Sequence, residues 1–85
     1  MRNFKFHYDA AHAWLKVHKL DLADIDMVPQ NFSAYSYVDG EWLYLEEDCD
    51  AGKFLTAFEK QYGGFKITDI DDGYDSPIRS LPRNQ

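Results

Sequence analysis

Two hydrophobic periods alternate along this chain. From Asn3 to Asp9, Phe4, Phe6 and Tyr8 share one side and Lys5 and His7 the other, the period of two of a half-buried strand. Ala13 to His18 (AWLKVH) predicts a second strand, with Trp14 opposite Leu15 and Val17; its Ala, Leu and Lys also suit a helix. Lys19 to Met27 predicts a short helix in which Leu22 and Ile25 share a face, and Pro29 breaks that pattern. Gln30 to Ala34 is loop. Tyr35, Tyr37 and Val38 then lead into Asp39-Gly40, a hairpin signal because Gly accepts the positive φ that tight turns need. The return strand runs from Glu41 to Glu46. Trp42, Tyr44 and Glu46 point one way and Leu43 and Leu45 the other; large apolar groups on both faces predict an interior strand.

The period then changes. Ala51, Phe54, Leu55, Phe58 and Tyr62 fall on one helical face. Asp48 is the expected N-cap and Asp50 suits the first turn. Gly63-Gly64 ends the helix. Phe65 and Ile67 alternate with Lys66 and Thr68 in a fifth strand of about six residues, and Asp71-Asp72-Gly73 turns the chain. The order is β-β-α-β-β-α-β. The expected fold is α+β: a four- to five-stranded, mainly antiparallel sheet with two helices on one face. Residues 1–75 form the expected domain, and 76–85 a tail that docks through Ile78 and Leu81 or frays.

Composition narrows the functional classes. The chain has 85 residues, 16% of them aromatic, and a net charge of −6 with a pI near 4.8. Phosphate repels such a surface, so direct nucleic-acid binding is not expected, whereas a basic protein partner is. One cysteine excludes an internal disulfide and fits a reducing cytoplasm. No apolar run reaches bilayer length and the first residues lack a signal-peptide core. A soluble, cytoplasmic, non-membrane protein is the expectation.

Acidic charge is the first chemical feature. Asp39, Glu41, Glu46, Glu47, Asp48 and Asp50 lie within twelve residues without a Lys or Arg, while residues 1–20 carry Arg2, Lys5, Lys16 and Lys19 against Asp9 alone. A solvated rim with helix capping is the plain reading; an acidic surface that fills a basic groove is the sharper one. Asp69, Asp71, Asp72 and Asp75 form a second cluster. No metal or cofactor is expected. An EF-hand loop starting at Asp48 fails, because Gly52 falls one position early and the loop holds apolar helix residues. His7, Asp9 and His12 could face one another on a strand and turn, but lack a fourth ligand. Cys49 stands in a first helical turn, but acidic neighbours oppose its ionisation and no base is paired with it. An enzyme is not expected.

Two stretches carry a resemblance. They are His7 to Val17 (HYDAAHAWLKV), and Tyr35-Ser36-Tyr37 followed by Tyr44 to Ala51 (YLEEDCDA), with Ser76-Pro77-Ile78-Arg79 near the end. Together they resemble a group of small bacteriophage and prophage proteins with a D-A-G-H-x-W-L, Y-S-Y and Y-L-E-E-D-C-D-A pattern; Ala11 stands where that pattern has Gly. The resemblance brings no activity. It implies context: a phage-type accessory protein acting in the host cytoplasm, of the kind that binds and disables a host defence or nucleic-acid-processing machine, anti-CRISPR-like or anti-restriction-like. The residues expected to bind such a host protein are Glu41, Trp42, Glu46, Glu47, Asp48 and Asp50. The alternative is a small-molecule or nucleotide-signal binder, a sponge, with an aromatic pocket of His12, Trp14, Tyr35, Tyr37 and Arg79. An exposed edge strand would also permit a homodimer.

Overall fold

The computed structural model describes all 85 residues. Five strands form one sheet: β1 (Asn3–Tyr8), β2 (Ala13–His18), β3 (Tyr37–Asp39), β4 (Trp42–Glu46) and β5 (Lys66–Asp71). Helix α1 (Lys19–Ala23) follows β2, and α2 (Gly52–Tyr62) lies between β4 and β5. The element order is the expected β-β-α-β-β-α-β, and the fold is α+β.

The sheet order is β3-β4-β2-β1-β5. Three pairings are antiparallel and the fourth, β1 with β5, is parallel, with Phe4 opposite Ile67. The parallel pair follows from the connection. A helix between two strands of one sheet reverses the chain twice, so β5 runs in the direction of β4. β4 is antiparallel to β2, and β2 to β1. β5 therefore arrives parallel to β1, at the far edge.

Alternation decides the two faces. Phe4, Leu15, Val17, Leu43 and Leu45 project to one side and pack with Leu22, Ile25, Phe32, Ala51, Phe54 and Phe58. The rings of Phe54 and Phe58 stand edge-on to Phe4 at 5.3 and 5.1 Å. Each such side chain, fully buried, contributes roughly 1.5–3 kcal/mol. Tyr62, expected on this face, is 53% exposed and donates its hydroxyl to the Asp24 carbonyl.

The opposite face has its own small core of Trp14, Tyr37, Tyr44 and Ile78. What covers it is the C-terminal segment. Pro77–Ser80 form a short 3-10 helix capped by the Ser76 hydroxyl, and Ile78 is 4% exposed. Val38 N–H donates to the Pro82 carbonyl and Asn84 N–H to Ser36, each at 2.8 Å. The Asn84 amide also donates to the Pro29 and Phe32 carbonyls at 2.9 and 3.1 Å. Residues 76–85 are thus part of the same folded body, and they occupy the outer edge of β3. The outer edge of β5 stays open; Lys66–Asp69 and Asp71 are exposed there.

Two local expectations are corrected. The hairpin loop is Gly40-Glu41, one residue later than the Asp-Gly signal placed it, because Asp39 pairs with Trp42; Gly40, at φ 61°, supplies the positive φ expected of it. Asp48 is not the cap of the long helix. The wide, π-helical turn Glu47–Ala51 that runs directly into α2 is capped instead by Glu46, whose carboxylate accepts from Asp48 N–H at 3.1 Å and Cys49 N–H at 2.9 Å; α2 itself has no side-chain cap.

Candidate functional site: a cleft beneath the C-terminal segment

The site begins at Asp9, where β1 ends. Its carboxylate accepts from Ala11 N–H and His12 N–H at 3.0 Å each, closing a tight turn into β2. Ala11 does not take a positive φ in that turn, so it needs no glycine. The same carboxylate accepts from Ser76 N–H at 2.9 Å and from Arg79 Nε and a terminal guanidinium nitrogen at 2.6 and 3.0 Å. The Arg79 guanidinium holds the Asp9 pKa well below the usual carboxylate range, against the opposing effect of burial and with help from the three N–H donors. One acidic side chain therefore joins the β1–β2 turn to the C-terminal segment. Arg79, so anchored, lies over the Trp14 ring at 5.3 Å.

A cleft of about 380 Å³ opens beside this anchor. His12, Trp14, Tyr35, Tyr37 and Arg79 all line it, joined by Glu46, Asp48, Cys49 and Arg83. Strand alternation explains the grouping: Trp14 and Glu46 are register partners on β2 and β4, and Tyr37 sits on the same face one strand further. Trp14 and Tyr37 form its buried wall, whereas Tyr35 is 63% exposed at the mouth. Tyr35 belongs to the turn before β3, not to the strand. Arg83 lies over the Tyr37 ring at 4.9 Å and donates to the Ala34 carbonyl at 3.3 Å, with no carboxylate within ion-pair distance. Arg83 was not legible as a site residue, since an arginine near the chain end carries no pattern; its isolated pairing with Tyr37 is a tertiary fact.

The acidic set fares differently. Asp50 is not on the surface. It is 3% exposed, and its carboxylate accepts from the Ser33 N–H, the Ser33 hydroxyl and the Ser36 hydroxyl. Glu41 sits in the hairpin loop and pairs with Lys19 at 3.7 Å. Trp42, 39% exposed, is at the start of β4, roughly 13 Å along the strand from Glu46. Only Glu46, Glu47 and Asp48 remain together. The expected acidic surface is therefore divided, because β4 separates its ends and the wide turn after it rotates Asp50 inward.

His7, Asp9 and His12 do not assemble a metal site: Asp9 is saturated by Arg79 and backbone donors, and His7 faces Asp72 at 3.2 Å. His12, Glu46 and Glu47 do bring one imidazole nitrogen and two carboxylate oxygens within 4.8 Å of one another, a donor set suited to a divalent cation. One oxygen of Glu46 is already committed to capping. Cys49 is exposed; desolvation of its sulfur, the hydrogen bond to Glu46 and the nearby charges of Glu46, Asp50 and Asp48 push its thiol pKa up, the opposite of what an activated nucleophile requires.

Comparison with protein-family models, curated proteins and solved structures found no match to this chain. No helix is long and apolar enough to cross a membrane.

Proposed function

We propose that the protein is a non-catalytic binding protein whose cleft takes a small planar ligand with an acidic group, of which a nucleotide is the type. The observation that carries this reading is the convergence of His12, Trp14, Tyr35, Tyr37 and Arg79, distant in sequence, on one cleft with Arg83. Aromatic walls supply stacking area. The Arg83 guanidinium supplies a cation free of carboxylate partners, and the volume is near the lower end for small-molecule sites. Glu46 and Asp48, also in the lining, offer carboxylate oxygens to a ligand amine. A nucleotide panel in a thermal-shift assay tests this. A ligand-induced rise in Tm that is lost in Arg83→Gln and Tyr35→Ala is the expected result; no shift with any member of the panel refutes it.

A second reading rests on Glu46, Glu47 and Asp48, which stay clustered with no Lys or Arg paired to them. In a phage-type accessory protein that inhibits a host defence or nucleic-acid machine, this rim would meet a basic host surface. Affinity purification from a bacterial host lysate, washed at low and high salt, separates the two readings. A stoichiometric partner released by salt, and lost in Glu47→Lys/Asp48→Lys, supports inhibition; no partner at either salt sinks it.

A further inference from the structure

The same face of the sheet carries a second cleft, at the opposite strand ends. It has a volume of about 270 Å³ and includes Asn3, Lys5, Lys16, His18 and Trp42 in its lining. Lys5 and Lys16 are direct cross-strand partners. Like charges placed opposite each other destabilise a sheet pair, and neither lysine has a carboxylate within ion-pair distance. In a chain of net charge −6, this is a local excess of positive charge; Lys16 Nζ is held 4.4 Å from the centre of the Trp42 ring, while Lys5 makes no ion pair.

The remaining polar groups give the chemistry of a ligand. His18 Nδ1 accepts from Leu20 N–H at 3.0 Å, so in the neutral ring the proton sits on Nε2 and is free to donate. Asn3 Oδ1 accepts from the Thr68 hydroxyl at 3.0 Å, which leaves the amide NH₂ as its free group. Asp21, the one carboxylate of the cleft, is buried and saturated: it accepts from Arg2 and, at 2.8 Å, from His18 N–H. The side-chain groups left free are two ammoniums, one imidazole N–H, one amide and the Arg2 guanidinium nitrogens not spent on Asp21, all donors. A ligand that matches them is an anion with several acceptor oxygens. Trp42, 39% exposed with Lys16 Nζ 4.4 Å from its ring, adds an apolar flank.

We propose that this cleft is a phosphate site, taking an organic phosphate whose phosphoryl oxygens lie between Lys5 and Lys16 and whose planar group lies against Trp42. The proposal uses different residues from the first cleft and stands without it. The test is titration of the whole protein at low salt with pyrophosphate, inorganic phosphate, AMP, ADP and adenosine, read by tryptophan fluorescence and by Tm. The phosphate-bearing compounds are expected to raise Tm and the nucleotides to quench Trp42, with adenosine inert and affinity falling as salt rises. Lys16→Gln is expected to weaken binding by about tenfold or more, the worth of one hydrogen bond to a charged group. The free Lys5→Gln/Lys16→Gln protein is expected to melt close to the unsubstituted one, because relief of the like-charge pair offsets loss of the Lys16 contact with the Trp42 ring. No shift with pyrophosphate or ADP at low salt overturns the proposal. So does binding that survives in the double variant, or that is abolished instead by Arg83→Gln, which would assign the anion to the first cleft.

Discussion

Replacing Asp50 distinguishes a structural hub from a surface charge. Its carboxylate takes three donors, the Ser33 N–H and the hydroxyls of Ser33 and Ser36, in a setting where Asp50 is 3% and Ser36 0% exposed. Ser36 relays the network, since its oxygen also accepts from Glu46 N–H at 3.0 Å. A hydrogen bond to a charged group contributes about 1.5–3 kcal/mol, and a buried donor left without a partner costs about 1–3 kcal/mol. In Asp50→Ala the Ser33 N–H and two hydroxyls lose their acceptor together. Allowing the hydroxyls to turn to other carbonyls, the expected loss is about 3–5 kcal/mol. That is a large share of the roughly 5–10 kcal/mol a domain of this size holds. Asp50→Asn keeps one carbonyl acceptor and is expected to lose about half as much. Asp48→Ala, at an exposed position two residues away, is expected to stay within about 0.5 kcal/mol. Urea unfolding followed by tryptophan fluorescence measures all three. An Asp50→Ala protein within about 1 kcal/mol of the parent would refute the hub.

Ile78→Ala is expected to cost about 2–4 kcal/mol, since its side chain fills the small core with Trp14, Tyr37 and Tyr44, and to red-shift the emission of Trp14; an unshifted spectrum would mean that the segment does not cover that face. Asp9 gives a pH dependence. Its folded pKa is lowered from an ordinary 3.8, so the stability it contributes is fully present above that value and is lost as pH falls below it, when the unfolded chain takes up the proton first. Unfolding midpoints measured between neutral pH and about pH 3 are expected to decline more steeply in the parent than in Arg79→Gln, and equal slopes would dismiss the pairing. With its pKa raised by desolvation and Glu46, Cys49 is expected to react with iodoacetamide at neutral pH more slowly than free glutathione; faster alkylation would show an activated thiol.

Local pattern carried most of the fold. The alternation in β1, β2 and β4, the Gly in the hairpin and the apolar helical face before Gly63-Gly64 are short-range properties, set by side-chain period and by backbone sterics. They suffice for the element order and for the face on which Leu15, Val17, Leu43 and Leu45 lie. The aromatic pocket was legible for a related reason. Trp14 and Tyr37 fall on the face opposite those leucines; Arg79 reaches them only through the folding-back of the C-terminal segment onto Asp9.

What the sequence could not decide was long-range. The parallel arrival of β5 depends on which edge the α2 crossover reaches, and no local propensity encodes that. Acidic residues between 39 and 50 look alike in a string, yet a wide turn buries Asp50 against two serines, the hairpin loop carries Glu41 away, and Glu46 becomes a cap. Arg83 and Asn84 read only as the end of a tail that docks through Ile78 and Leu81 or frays; they are fixed by carbonyls and a tyrosine ring supplied from residues 29–37, some fifty positions earlier. The sequence by itself determined the elements and their buried faces, because those depend on period. Only the tertiary structure decided which polar groups are consumed in holding the fold and which remain free for a ligand, because that depends on partners brought together by folding.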